Sequence, residues 1–299
     1  MTSMYASSVV TTSAASISSP DLPVASRTHS DMQSLTAIAG DPILRVELVT
    51  GDKGNEYFRG TKADTGENDV YLRGVHGVLR KSVYPGWTLK KALAIRGTGG
   101  LTGGLGPDRA KVVGIRCDNQ LTWATDRIVR DGLSIAQVLE QTRENRIVSG
   151  HARNVLKFFH AEGMTPIATQ VGVGSVSMHV GTMVDVVCRK ENSLIIVEVK
   201  TNWSPKYLRL PCNKMAKRYS PVNTPNTPLE QYKAQAAFTA MLFRATYPGW
   251  EASGVVLRTV VVVSDPDGVT AHDVGEWGSG PMQRKLVSAA HASMYKRGR

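Results

Sequence analysis

Residues 181–201 read GTMVDVVCRKENSLIIVEVKT: two runs rich in β-branched and aliphatic residues on either side of a Lys-Glu-Asn-Ser turn. The pattern predicts two paired strands, 183–189 and 194–200. Residues two apart on a strand face the same side, so Glu198 and Lys200 project together while Val197 and Val199 enter an apolar layer behind them. Opposite charges at the end of an otherwise apolar strand are costly to bury unless they are used. Pairing brings Asp185 beside Glu198. Two carboxylates on adjacent strands are hard oxygen ligands suited to Mg²⁺ or Mn²⁺, and such an ion polarises a phosphoryl oxygen and acidifies its water. Lys200 beside them has the charge to orient a hydroxide or to stabilise a pentacovalent phosphate. The plainer alternative for all three is an exposed hairpin carrying a surface ion pair.

Working outward, apolar positions Ile128, Leu133, Ile135, Val138 and Leu139 fall roughly at helical spacing and predict one helix. A second helix is expected from Ser149 as N-cap to a stop at Gly163. Strands are expected at 169–173 and 177–180, upstream of the hairpin. Beyond it, Pro221, Pro225 and Pro228 punctuate a loop, residues 229–246 have helix-forming composition, and 255–263 is a β-branched run suited to a central strand. Helix, meandering strands, helix, strand is the order of an α/β layered core with a mixed sheet.

The charge points to a partner. The chain of 299 residues carries a formal charge of +11, and a cationic surface attracts phosphate backbones and releases their counterions. No acid occurs from Thr201 to Leu229, whereas Lys206, Arg209, Lys214, Lys217 and Arg218 do, with Trp203, Tyr207 and Tyr219 among them. A second acid-free stretch between Leu72 and Gly106 holds Arg73, Arg80, Lys81, Lys90, Lys91 and Arg96, and it ends in a Gly-rich run, GTGGLTGGLG, that lacks the GK[ST] of a nucleotide-binding loop. Nucleic acid therefore heads the partner expectations, DNA first and RNA second. Three distant cysteines, Cys117, Cys188 and Cys212, suit free thiols better than a disulfide framework or a zinc knuckle. No apolar run is long enough to cross a bilayer and no secretory signal pattern opens the chain, so an intracellular setting is expected, in cytoplasm, nucleus or organelle.

The stretch GTMVDVVCRKENSLIIVEVKT resembles the core of the PD-(D/E)XK nuclease superfamily, and within it the RecB and lambda-exonuclease branch, where a Gly shortly precedes the aspartate and a Thr often follows the lysine. The resemblance spans about residues 140–265. It implies a restriction-endonuclease-like α/β core, a metal-dependent DNA nuclease, Mg²⁺ or Mn²⁺ as cofactor, and a role in DNA repair, recombination or replication. It places Asp185, Glu198, Val199 and His151 at the metal, His151 standing where family members carry a Glu or His on the preceding helix. It also implies a glutamine on the helix after the lysine strand, Gln235 in Tyr232-Lys233-Ala234-Gln235, with Gln231 one turn earlier as the substitute; that glutamine helix favours an exonuclease. Val184 replaces the family's proline, and the thiols of an iron-sulfur cluster are missing. A structure-specific endonuclease and a non-catalytic nucleic-acid-binding protein on the same fold are the rival readings.

Several residues keep two readings. His151 is a ligand or a satisfied helix-cap histidine; Gln231 and Gln235 serve the site or a solvated helix face. Arg143, Arg146 and Arg153 bind phosphates or only solvate a helix. Trp203 and Tyr207 stack on bases or cover the core edge. The expected organisation is a Ser/Thr-rich disordered tail over 1–38, an accessory region over 39–125, and a nuclease core with a basic C-terminal tail over 126–299.

Overall fold

The Lys-Glu-Asn-Ser hairpin sits in the middle of an eight-stranded mixed sheet with helices on both faces. The computed structural model describes residues 35, 37–51, 56–66, 70–84, 107–145, 149–201, 208–209, 225–265 and 267–295. In chain order these form β1 (Leu44–Thr50), β2 (Glu56–Lys62), β3 (Val70–Gly74), α1 (Val75–Ser82), α2 (Pro107–Arg130), α3 (Ile135–Asn145), α4 (Gly150–Ala161), β4 (Thr165–Ser175), β5 (Val180–Lys190), β6 (Ser193–Thr201), α5 (Pro228–Thr246), α6 (Gly249–Ala252), β7 (Val256–Ser264), β8 (Val269–Asp273) and α7 (Gly280–Tyr295). The sheet runs β1-β2-β3-β5-β6-β7-β8, with β4 along the other edge of β5. Two pairings are parallel, β3 with β5 and β6 with β7; the rest are antiparallel.

Alternation along β5 and β6 divides the core in two. Val187, Leu194 and Ile196 pack with α1, α5 and α7 on one face. Val186, Cys188, Ile195, Val197 and Val199 pack with α2, α3 and α4 on the other. Both faces of these strands are therefore covered, which suits their nearly continuous apolar sequence.

Four departures from the sequence reading have local causes. The single helix expected over 128–139 is two, because Gly132 takes φ of 67° and Ser134 starts a new helix. Ser134 Oγ accepts from the Gln137 amide (3.2 Å) while Gln137 Oε1 accepts from the Ser134 amide (2.8 Å), a reciprocal capping box. The strand expected at 177–180 is mostly a turn into β5, where His179 has φ of 48°. The boundary expected at residue 125 falls inside α2, and β1–β3 continue the same sheet as the hairpin. Finally, Leu35 and Ala39, at and just past the end of the expected tail, are fully buried in the larger core, and most of the expected basic C-terminal tail is α7, with Met282, Leu286 and Ala290 buried.

β1 lies so close to β4 that only glycine fits between them. A Cβ on Gly172 would stand 1.8 Å from the Val46 carbonyl oxygen, which is backbone and cannot swing aside. Gly172→Ala is therefore expected to cost about 2 kcal/mol, as overpacking typically does, and to loosen β1. Urea unfolding checks this, and an unchanged midpoint would contradict the close crossing.

Candidate active site at the fork of the central strands

β5 changes partner along one edge. Its start pairs with β3 through Arg73↔Val180 and Gly74↔Gly181, and its end pairs with β6 from Val186↔Val197 to Lys190↔Ser193. Between the two, from Thr182 to Asp185, neither β3 nor β6 pairs with this edge, while β4 runs along the opposite one. Asp185 stands at this fork. The β5–β6 pairing ends at Val186↔Val197, one residue short of Asp185 and Glu198. Asp185 Oδ2 accepts the Val199 amide at 2.7 Å, giving β6 the acceptor that the departing β5 backbone no longer supplies.

Glu198 is 1% exposed and held from two sides. Its Oε1 accepts from Lys200 Nζ at 2.5 Å and from Gln235 Nε2 at 2.6 Å. Gln235 is delivered by α5, which begins at Thr227, whose side chain accepts from the Glu230 amide, and carries Pro228 in its first turn. One turn earlier on α5, Tyr232 offers its ring face to Lys200, with Nζ 5.6 Å from the centroid. The other oxygen, Glu198 Oε2, is buried without a hydrogen-bond partner among the described residues.

A third carboxylate reaches the fork from the opposite layer. α2 packs against β6 with Gly114 facing the end of the strand, where a Cβ would be 3.7 Å from Thr201 Oγ1, and Asp118 follows one turn on. Burial, relieved in part by Lys200 and reinforced by Glu198, lifts the Asp118 carboxyl to about 6. Burial and then the Glu198 charge raise Asp185 well above the carboxylate range, with Asp118 adding to the shift and Lys200 and the Val199 amide opposing it. Burial also works against the Lys200 charge, but Glu198 and Asp185 outweigh it and hold the ammonium above its ordinary range. Among the described residues, three acids bear on one cation, Lys200. Such crowding is the state a divalent ion relieves.

No family model and no curated protein matches the chain.

Of the residues singled out in the sequence, the structure brings Asp185, Glu198, Lys200 and Gln235 together. Val199 joins through its main chain only, since its side chain is buried in the apolar layer. Gln231 turns away and donates to Asn226 Oδ1 at 2.7 Å. His151 is not brought to the carboxylates: its Nδ1 lies 3.3 Å from Ser264 Oγ at the end of β7, and Ser264 Oγ donates to the His151 carbonyl. Burial lowers its pKa, so it is a neutral histidine in the α4–β7 seam. Arg153 Nη2 donates to the Thr142 carbonyl at 3.1 Å, bracing α4 on α3. Arg209 is exposed, whereas Trp203, Lys206, Tyr207, Lys214, Lys217 and Arg218 lie outside the described residues. Asp118 and Tyr232 were not among the expected site residues. Asp118 carries no signal until α2 is known to start at 107 and to lie against β6.

Could this set hold a metal? Among the described residues no three His, Cys, Asp or Glu side chains form a ready ligand group. One oxygen of Glu198 is occupied by Lys200 and Gln235, and one of Asp185 by an amide. The free oxygen of Glu198 still fits. A buried carboxylate oxygen with no donor costs a few kcal/mol, and a hard cation satisfies it.

Proposed function

We propose that this chain is a divalent-metal-dependent deoxyribonuclease of the PD-(D/E)XK type, built on a restriction-endonuclease-like core and exonuclease-like in action. The observation that carries the reading is the buried, unpartnered Oε2 of Glu198, set beside Asp185 and the Lys200 ammonium at a strand fork. A structural ion pair would have its acceptors satisfied; this one leaves a lone pair inside the protein.

Asp185 and Glu198 would hold the Mg²⁺ or Mn²⁺ ion, with Asp118 close by to compensate its second charge. Bound there, the ion would polarise a phosphoryl oxygen and lower the pKa of its water. The chain's own groups do the rest. Lys200 stays protonated and lies at the rim of the site, where its Nζ can fix the attacking oxygen and balance charge on the phosphorane. Gln235 clamps Glu198 so that its free oxygen keeps one direction, and Tyr232 covers the flank of Lys200 and limits its hydration. The formal charge of +11 draws the phosphate backbone toward the fork.

The test is cleavage of end-labelled DNA. Linear DNA is expected to be degraded with Mg²⁺ or Mn²⁺ and to survive in EDTA, while covalently closed circles persist. Cutting of closed circles would make the protein an endonuclease of the same chemistry. Salt-sensitive DNA binding without metal-dependent cleavage would leave a non-catalytic binder and defeat the proposal.

A further inference from the structure

The three-stranded wing β1–β2–β3 has one closed face and one open one. On the closed face Leu44, Val46 and Leu72 are buried with Phe58 and Val70 against them, and the Val46 carbonyl meets Gly172 of β4. Alternation sends the residues between them to the opposite face: Arg45, Glu47 and Val49 from β1, Tyr57, Arg59 and Thr61 from β2, Tyr71 and Arg73 from β3. The register sets them in rows, Arg45 beside Thr61, Glu47 beside Arg59 and Arg59 beside Tyr71, Val49 beside Tyr57. Tyr57 and Tyr71 meet diagonally across β2 and β3, with ring centroids 5.6 Å apart and planes inclined by 32°. The result is a platform of two rings among arginines.

This platform is open to solvent. Tyr71 is 54% exposed, Arg45 and Glu47 are exposed, and Tyr57 and Arg59 are partly so. Arg59 Nη2 donates to Glu47 Oε2 at 3.2 Å, and an exposed pair of this kind is weak enough for a phosphate to replace the carboxylate. Arg73 Nη2 donates to the Ala290 carbonyl at 3.2 Å, so α7 borders the face on the β3 side. The acids of the three strands are Glu47, on this face, and Glu56, which alternation assigns to the other; three arginines therefore stand against one carboxylate. A cross-strand aromatic pair stabilises a sheet, but that role asks for covered rings. Rings left open beside guanidinium groups suit a ligand that has both flat faces and negative charge.

We infer that the outer face of β1–β3 binds single-stranded nucleic acid, with neighbouring bases stacked on Tyr57 and Tyr71 and the flanking phosphates held by Arg45 and Arg59. A single strand offers its base faces to the rings and its phosphates to the cations, whereas a duplex keeps its base faces stacked on one another. Arginine serves the phosphates through its planar fork of donors. The inference does not rest on cleavage at the carboxylates, because this face lies on its own strands and needs no metal.

The test is binding of a labelled oligo-dT strand to the full chain in EDTA. Tyr71→Ala is expected to weaken binding roughly tenfold, the loss of one stacked base, and Tyr71→Phe to stay within about twofold because the ring is kept. Arg45→Ala should lower the slope of log K against log salt by about 0.7, the share of one phosphate on a single strand, while Tyr71→Ala leaves that slope unchanged. An abasic strand of equal length should bind wild type as weakly as oligo-dT binds the Tyr57→Ala/Tyr71→Ala double variant, and should not distinguish the two proteins. A blunt duplex should be indifferent to Tyr71→Ala. Urea unfolding of each variant shows that the wing is intact, and one readout needs no variant: a strand carrying 5-iododeoxyuridine, photo-crosslinked to wild type, should mark Tyr57 or Tyr71. Wild type that does not bind oligo-dT, a folded Tyr71→Ala that keeps its affinity or loses as much for the abasic strand, or crosslinks confined to other residues would each overturn the inference. Cleavage is read separately, so a chain that cuts DNA without using this face keeps the nuclease reading, and one that binds here without cutting keeps this inference alone.

Discussion

Asp185→Asn, Glu198→Gln and Lys200→Ala are each expected to lower metal-dependent DNA cleavage by at least about a thousandfold, or roughly 4 kcal/mol of transition-state stabilisation. The size follows from what each change removes. Glu198→Gln takes away half of the charge that holds a divalent ion and replaces the unpartnered Oε2 with either a carbonyl or an amide nitrogen, neither of which matches a carboxylate toward a hard cation. Asp185→Asn weakens the same site from β5 and puts an amide where a carboxylate now accepts the Val199 amide. Lys200→Ala removes the cation paired with Glu198, so its loss in rate comes with a loss in stability from a less compensated buried carboxylate. Lys200→Met, which keeps the stem, separates these effects. DNA binding should persist in Glu198→Gln, because the phosphate-attracting charge of the surface is untouched. Gel-based cleavage assays with thermal melts of each variant decide the matter. Cleavage within tenfold of wild type in any of the three would remove the active centre from this fork.

How much of this was legible beforehand depends on the range of the interactions. The hairpin was readable because alternation along 183–189 and 194–200 and the short turn between them are local, and the register from Lys190↔Ser193 to Val186↔Val197 follows from turn length. Gln235 was named by the resemblance, with Gln231 as its substitute; the helix that carries both was readable from its composition, and Thr227 and Pro228 start it. The break between α2 and α3 was also present locally, in Gly132 and in Ser134 with Gln137, but apolar spacing from Ile128 to Leu139 ran across it and masked it. His151 shows the opposite limit. The resemblance offered it as a ligand beside a satisfied helix-cap histidine, and whether a helical side chain faces the fork or β7 depends on how α4 is rotated on the sheet, with Ser264 113 residues away. Asp118 was hidden for the same reason. It precedes the hairpin by many residues, and only the packing of α2 on β6 brings it there.

Asp118→Asn separates a structural from a functional role for the third acid, and the two readouts should move in opposite directions. With the folded pKa lifted to about 6 from 3.8, the native state binds the Asp118 proton more tightly than the unfolded chain does. The favourable contribution is present below pH 4, declines as pH rises through the window between the two values, and is gone above 6; Asp185 is shifted in the same direction. In EDTA the protein should therefore be more stable at pH 5 than at pH 7.5. Asp118→Asn should flatten that dependence and stabilise the metal-free protein at pH 7.5 by about 1–2 kcal/mol, a value reduced from the full pKa shift because the residue is only partly buried. Divalent ions reverse the sign. An ion at the fork takes over the role of the protons, so Mg²⁺ or Mn²⁺ should raise the melting temperature of wild type at pH 7.5 more than at pH 5, and should raise that of Asp118→Asn less. Cleavage by Asp118→Asn should fall about a hundredfold and recover in part at higher metal concentration, the behaviour of a weakened ion site. A variant that melts lower than wild type in EDTA at pH 7.5 would show that Asp118 is a structural acid with a partner of its own, and the crowding of three carboxylates around Lys200 would no longer account for the site.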